Sequence, residues 1–440
     1  MLFTVVMLLK DTEPDYFRDS LESLIAQTMD DFQLLLLDQN NESGFSIFVS
    51  EMFPRDERVE YRRLTAQKGR GFSLNYAIDS ARGDYILFLG QHERLSENAL
   101  FSFAEEALHN EDAALLYCDC DELIDGERRN PYFKSDINIE LLRQTNYIGN
   151  SFVIKREAIR SIGKFSELTK RLPEWEFLLR VTERKQKVLH IPKLLIHKRH
   201  GDKAPSYDRR DRTGFELEAA AIVEASLRRQ DIKAFVRSYF LSDALYVKVT
   251  YDGSTYDVKR DSFLFLKDQN VRFPSRRAVE KLYGVLSQPD VAVVGCRFLG
   301  QAFSVSNCGF IFDRDGVCYS ACHGQSVFSD GYGGRIKLRN DVSCVDFSFC
   351  LIDEKFFRRS GGFDKALLGR DLMLDFCLRA KKHGLRTVYE PEVTARYSGR
   401  EPLSSKESND ILMKRWGDVI RKGDPYYNEN LAMGTENYTF

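Results

Sequence analysis

Residues 84–119, DYILFLGQHERLSENALFSFAEEALHNEDAALLYCD, have a weak counterpart at 261–297, DSFLFLKDQNVRFPSRRAVEKLYGVLSQPDVAVVGCR. Each opens on a short apolar run and breaks at a polar corner. Each then passes through a helix-like pattern and ends on a second apolar run. Two more pairs follow in the same order. NSFVIKREAIRSIGKF (150–165) matches FSFCLIDEKFFRRSGGF (347–363), and the segment 174–199 matches 373–398. A repeat in fixed order predicts two related modules. The copies are unequal, because only 254–262 separates VKVTYDG from FLFLKD, whereas two strand–helix units precede residue 84. The second copy therefore lacks the half that comes before the corner.

The first third alternates in type. LFTVVMLL (2–9), FQLLLLD (32–38), VEYRRLT (59–65), DYILFLG (84–90) and AALLYCD (113–119) read as strands, with helical spacing in DYFRDSLESLIAQ, in AQKGRGFSLNYAIDSA and over 96–108. Near-continuous apolar strands alternating with helices predict an α/β fold with a parallel sheet covered on both faces. Beyond 121 come a turn-rich segment, a helix at PEWEFLLRVTER (173–184) and a strand pair or extended strand at VLHIPKLLIHKR (188–199). GDKAPSYDRRDR (201–212) reads as a linker, followed by a helix over 213–232 and strands in 234–253. The expected division is 1–212, a connecting segment 213–250, and a truncated second module 251–440.

Of 440 residues 43% are apolar and 30% charged, and 64 Lys+Arg nearly cancel 66 Asp+Glu. A net charge of −2 gives no general attraction to nucleic acid or anionic membrane, so any polyanion site has to be local. Nine scattered cysteines lack zinc-site spacing and read as buried free thiols of a reducing cytoplasm. MLFTVVMLLKDTEPD lacks the basic start and small-residue cleavage site of a leader, and reads as a first buried strand. No apolar run approaches the roughly 20 residues of a membrane helix.

The polar corner of the first copy reads Gly90-Gln91-His92-Glu93, at the end of an apolar strand, where α/β proteins gather their chemistry. SLESLIAQTMDDFQLLLLDQNNES, KGRGFSLNYAIDSARGDYILFLGQHERLSENAL, NPYFKSDINIELL, SGGFD and DPYYNENL together resemble the family 2 glycosyltransferases of GT-A fold. More narrowly they resemble the rhamnosyltransferase-like, two-module enzymes of surface-polysaccharide synthesis. The resemblance implies a GT-A (Rossmann-like, mixed-sheet) N-terminal domain and inverting sugar transfer from a UDP- or dTDP-linked donor. The acceptor would be a hydroxyl of a cell-surface glycan, lipid-linked or protein-linked. It implies a cytoplasmic enzyme without nucleic-acid partners, and leaves open peripheral attachment to the inner membrane face or association with a partner glycosyltransferase. The rival reading is a catalytically inert module of the same shape.

What the resemblance implies for residues is specific. Asp38 matches the first acid of the nucleoside-binding turn, and Gln39 stands where the second acid would be. Lys68, Arg70, Asn75 and Gln91 fall where the family approaches the nucleotide. In the family an Asp-x-Asp-Asp corner holds Mg²⁺ or Mn²⁺ against the diphosphate; here Gly90 stands in place of the first acid, His92 replaces the next and Glu93 matches the last, and His197 matches a histidine near that group. Imidazole disfavours hard Mg²⁺ and is acceptable to softer ions. Three readings stand side by side: a modified metal site of His92, Glu93 and His197; a metal-free site with Lys68, Arg70 or Arg94 neutralising the leaving group; and a dead site. Glu174 is the expected general base, with Asp121 and Trp175 on the acceptor side. Glu174 and Glu176 also read as surface glutamates favourable to a helix start. In the second module the base position falls on Met373, the histidine on Ser398, and Asp268 is the only acid at the corner. Its aromatics in 346–364 and 424–431 read either as sugar-stacking groups or as core.

Overall fold

The computed structural model describes residues 1–40, 45–64, 69–199, 211–241, 243–253, 263–273, 277–398, 404–432 and 438–439. Lys68 and residues 201–210 of the expected linker 201–212 lie outside them, and the helix Arg212–Arg229 begins within that linker. The chain forms two units that are discontinuous in sequence. The first comprises 1–137, 145–230 and 237–247, the second 138–144, 231–236 and 248–440. The contiguous division at 212 and 250 does not follow these bounds.

In the first unit the strands are β1 (Phe3–Leu9), β2 (Phe32–Asp38), β3 (Val59–Arg63), β4 (Tyr85–Phe88), β5 (Arg94–Leu95), β6 (Ala113–Ile124), β7 (Glu127–Tyr132), β8 (Phe152–Lys155) and β9 (Lys187–Arg199). They form one mixed sheet in the order β3-β2-β1-β4-β8-β6-β9-β5, with β7 on β6. β1, β2, β3 and β4 run parallel, β8 is antiparallel to β4 and β6, and β6 and β9 are parallel. Every residue of β2 is buried, as a strand covered on both faces requires. Phe17, Leu21 and Leu24 of the helix Pro14–Ile25 join Val5, Met7, Leu34 and Leu36 in the core. Gly83 has a steric reason. A β-carbon there would lie 2.4 Å from the carbonyl carbon of Phe3, so the chain entering β4 passes too close to β1 for any side chain.

A two-stranded ribbon, β10 (Ala234–Leu241) and β11 (Ala244–Tyr251), follows the helix Arg212–Arg229. The second unit contains β12 (Phe263–Lys267), β13 (Val271–Arg272), β14 (Val291–Leu299), β15 (Val305–Asn307), β16 (Phe310–Phe312), β17 (Cys318–Ser320), β18 (Asn340–Asp341), β19 (Phe349–Asp353) and β20 (Arg386–Tyr397). Its main sheet runs β12-β19-β14-β20-β13. β12 and β14 are antiparallel to β19, β14 is parallel to β20, and β13 is antiparallel to β20. This repeats β4-β8-β6-β9-β5 strand for strand and sense for sense, and nothing in that sheet corresponds to β1, β2 or β3 among the described residues. The repeat and its truncation are thus both visible in the topology. The aromatics Phe347, Phe349, Phe356 and Tyr427 are buried, so the core reading holds for them. All nine cysteines are buried thiols. No helix of the described residues is long and apolar enough to cross a membrane.

Candidate active site

The C-terminal ends of β1, β2 and β4 carry a chain of side-chain hydrogen bonds. Asp38 ends β2 fully buried, and its Oδ1 accepts from the Asn40 amide N–H (2.7 Å) and side-chain Nδ2 (2.8 Å). Its Oδ2 accepts from the Tyr61 hydroxyl, which burial, and then the Asp38 contact, hold above the usual phenol range. Asn40 bridges to Thr12, accepting its N–H (3.1 Å) and donating to its hydroxyl (2.9 Å). The Thr12 hydroxyl donates to Gln91 Oε1 (2.7 Å), and Gln91 pairs through both ends of its amide with the Lys10 backbone (3.0 and 2.7 Å). The Asp38 carboxylate therefore builds the turn after β2, as an aspartate in an Asx turn does.

The Gly90–Glu93 corner is organised by its own members. Glu93 folds back so that Oε2 accepts the Gly90 N–H (2.9 Å) and the Ser151 hydroxyl. A β-carbon at Gly90 would lie 2.9 Å from the Glu93 carboxyl carbon, so an acid at 90 and this Glu93 rotamer exclude each other. His92 Nε2 accepts the N–H of Glu13, the residue preceding the helix Pro14–Ile25, at 3.2 Å. Its ring meets Tyr16 edge-on (5.7 Å). Burial first, and the charge of Arg199, hold the His92 imidazole below its ordinary value, against Glu13 and Glu93. It is neutral near pH 7, with the Nε2 lone pair committed to the helix start.

Beside this corner lies a second chain. His197 on β9 sits opposite Asp121 on β6 and Arg94 on β5. Nδ1 of His197 meets Asp121 Oδ1 at 2.6 Å and Nε2 meets Ser96 Oγ at 3.0 Å. Arg128 Nε donates to Asp121 Oδ2 (2.7 Å). Burial raises the Asp121 carboxyl, but the His197 and Arg128 contacts outweigh it and hold it below the usual range.

The metal ligands that the resemblance implies do not fit. A divalent cation needs free lone pairs converging on one point. His92 Nε2 is taken by Glu13, both nitrogens of His197 have partners, and Glu93 Oε2 is taken twice. Among the described residues no group of three His, Cys, Asp or Glu side chains is arranged to hold an ion.

Two other expected residues, Asn75 and Trp175, take different places. Asn75 is buried and pins the 165–167 segment, donating to Phe165 O (3.0 Å) and accepting the Phe165 N–H (2.9 Å). It is a packing residue of the helix Arg70–Ser80. Trp175 is fully buried, so it offers no face to a sugar. Glu174 and Glu176 are buried too, which removes the surface reading. Glu176 pairs with Arg180 and Arg229, and Glu174 Oε1 accepts from Arg70 Nε at 2.6 Å. Glu174 Oε2 is buried without a partner among the described residues. Gln39 is half-buried after β2. Thr12, Asn40, Ser96 and Ser151 were missed from the sequence. Only Asp-x-Asn at 38–40, an Asx-turn signature, offered a local signal.

A groove of about 460 Å³ lies at the opposite, N-terminal end of the strands, lined by Leu24, Ile25, Phe32, Phe53 and Arg58 among others, and holds none of these residues.

A parallel β3-β2-β1-β4 array with a polar corner at its carboxyl ends is the Rossmann-like arrangement in which α/β proteins bind nucleotides. Residues 4–163 match Glycosyl transferase family 2, and the N-terminal unit carries a domain of that family on a GT-A-like mixed sheet. Over 524 residues the chain is 24% identical to the O-antigen biosynthesis protein RfbC of Myxococcus xanthus, covering 98% of this chain and 40% of the relative. Over 536 residues it is 22% identical to the uncharacterized protein y4gI of Sinorhizobium fredii, covering 99% and 58%. The chain thus spans about half the length of these curated relatives. S. aureus TarS 1–349 in complex with UDP-GlcNAc superposes with a TM-score of 0.44 at 14% identity, over 53% of this chain and 68% of that one.

Proposed function

We propose that the N-terminal unit is an inverting glycosyltransferase that moves a sugar from a UDP- or dTDP-linked donor to a hydroxyl of a cell-surface glycan carried on lipid or protein. The observation that supports this most is the family 2 match over 4–163, which spans the nucleotide-type sheet from β1 to β8. The relative named for O-antigen biosynthesis, alignable over 98% of this chain, supports a surface-glycan acceptor.

In this reading the nucleoside lies over the Asp38–Asn40 turn and Gln39. The acceptor oxygen attacks the anomeric carbon in line. A bond forms from that oxygen to the carbon, the bond from the carbon to the diphosphate oxygen breaks, and the acceptor proton passes to a base. Glu174 is the proposed base. Its Oε2 has no hydrogen-bond partner among the described residues, which leaves a lone pair for the acceptor proton, and Arg70, 38% exposed, donates to the other oxygen. Asp121, held ionised by His197 and Arg128, would orient the acceptor.

The test is release of UDP or dTDP from a panel of nucleotide sugars with a surface-polysaccharide acceptor, read by mass spectrometry. Glu174→Gln is expected to lower turnover by about 10²–10⁴-fold, the usual worth of a positioned base, with nucleotide affinity unchanged. No transfer from any donor, or full turnover in Glu174→Gln, would contradict the proposal.

A further inference from the structure

We infer that the donor diphosphate is held by a cationic clamp centred on Arg94, with Arg199 beside it, in place of a divalent ion. This deepens the donor reading above and rests on it.

Arg94 lies in β5 directly opposite His197, which lies directly opposite Asp121. Cross-strand partners project to the same face, so the three stand abreast there, and Arg199, two residues beyond His197, shares it. The charges along this row do not cancel. Asp121 is engaged by His197 and Arg128. Arg199 pairs with Asp19 and lies over the Tyr16 ring, 4.3 Å from its centroid. Among the described residues Arg94 has no acid: its Nε is buried with no hydrogen-bond partner, and no ion pair reaches it. The Nε of Arg199 is likewise buried and has no hydrogen-bond partner among the described residues. Buried guanidinium donors without acceptors are costly and uncommon, and an anionic ligand supplies what is missing. The row adjoins the corner itself, since Tyr16 touches both Arg199 and the His92 ring. In a chain of net charge −2, this is the local cation excess that a diphosphate needs.

The chemistry follows. The electron pair of the breaking bond from the anomeric carbon stays on the diphosphate oxygen. A metal would neutralise it in most such sites, but the ligands here are committed elsewhere. A guanidinium is always charged and presents a planar fork of donors to phosphate oxygens, so it takes the developing charge without a proton transfer. The loss of the acidic corner and the unpaired Arg94 are then two halves of one change: without the cation the acids have no purpose, and beside an arginine clamp they would compete with the diphosphate for it.

The experiment is calorimetric titration of the full chain with UDP and with uridine, and in parallel with dTDP and thymidine, in EDTA and in millimolar MgCl₂ or MnCl₂. Wild type is expected to bind the diphosphate equally, within about twofold, with and without metal. Arg94→Gln is expected to weaken the diphosphate at least about tenfold while nucleoside affinity stays, and Arg94→Lys to recover part of it, as the loss of a charge-assisted contact predicts. Arg199→Gln is expected to act in the same direction, less strongly. Unchanged nucleoside binding also certifies that each variant is folded. Diphosphate binding that requires metal, or that survives intact in Arg94→Gln, overturns the clamp and leaves the donor reading standing. Failure of wild type to bind any of the four compounds overturns both.

Discussion

Gly90 and His92 hold their places for reasons that can be tested one side chain at a time. Restoring an acid by Gly90→Asp displaces Glu93 from the Gly90 N–H and from Ser151. The expected cost is about 1–3 kcal/mol in urea denaturation, the range for leaving such groups unsatisfied. An unchanged midpoint would contradict the geometry of the corner. His92 and His190 should oppose each other in pH dependence. His92 titrates below its ordinary 6.5, so its stabilising contribution is complete above 6.5 and is lost as pH falls towards the folded value. His190 on β9 meets Asp119 (2.8 Å). Burial depresses its imidazole, but Asp119 and Asp136 outweigh that and hold it above 6.5. Its contribution is complete below 6.5 and is lost as pH rises through the folded value. His92→Gln should therefore flatten the loss of stability on acidification, and His190→Gln should cost more stability below pH 6.5 than well above it. Equal pH slopes in wild type and both variants would contradict these assignments.

The short helix Ile139–Leu142 belongs, with 138–144 as a whole, to the second unit. Glu140 is fully buried there and faces Arg143 (3.0 Å), Arg386 (3.2 Å) and Arg339 (3.7 Å), with Tyr251 and Gln288 donating to it. Burial pushes its carboxyl up, but the three guanidiniums outweigh this and hold it down to about 2. Glu140→Gln should destabilise the protein by about 3–5 kcal/mol, as removing one partner of a buried ion network does. The variant should also lose acid sensitivity between 4.5 and about 2, where wild-type Glu140 gives up its contribution. A loss below about 1 kcal/mol, the worth of a surface pair, would contradict the network. None of this was legible in the sequence, because Glu140 and Arg386 are 246 residues apart. What was legible is periodic or local: the buried strands, the repeated order of elements, the missing first half of the second copy, and the polar corner. The packing of Asn75 and Trp175 and the Arg70 contact of Glu174 were illegible for the same reason as the Glu140 network. Their partners, Phe165, the surrounding core and Arg70, come from distant segments, and composition around each residue says nothing about them.

Across the whole chain, the unit that keeps β1, β2 and β3 is the one that carries the family 2 match, and the main sheet of the other unit has no counterpart of those strands among the described residues. In the second unit Asp268 serves its own turn, accepting the Asn270 N–H at 2.7 Å, and Met373 is buried in the core. Asp268→Asn should leave sugar transfer within about twofold of wild type, in contrast to the loss predicted for a positioned base at Glu174. A comparable loss from both variants would show that the second unit takes part in the chemistry. Whether the first unit holds a nucleoside diphosphate at the carboxyl ends of its parallel strands is read from diffraction by crystals grown with UDP. Density for the nucleoside is expected over the Asp38–Asn40 turn and for the diphosphate against Arg94. Nucleotide bound elsewhere, or the same ends of β1, β2 and β4 left closed on themselves at saturating UDP, would contradict it.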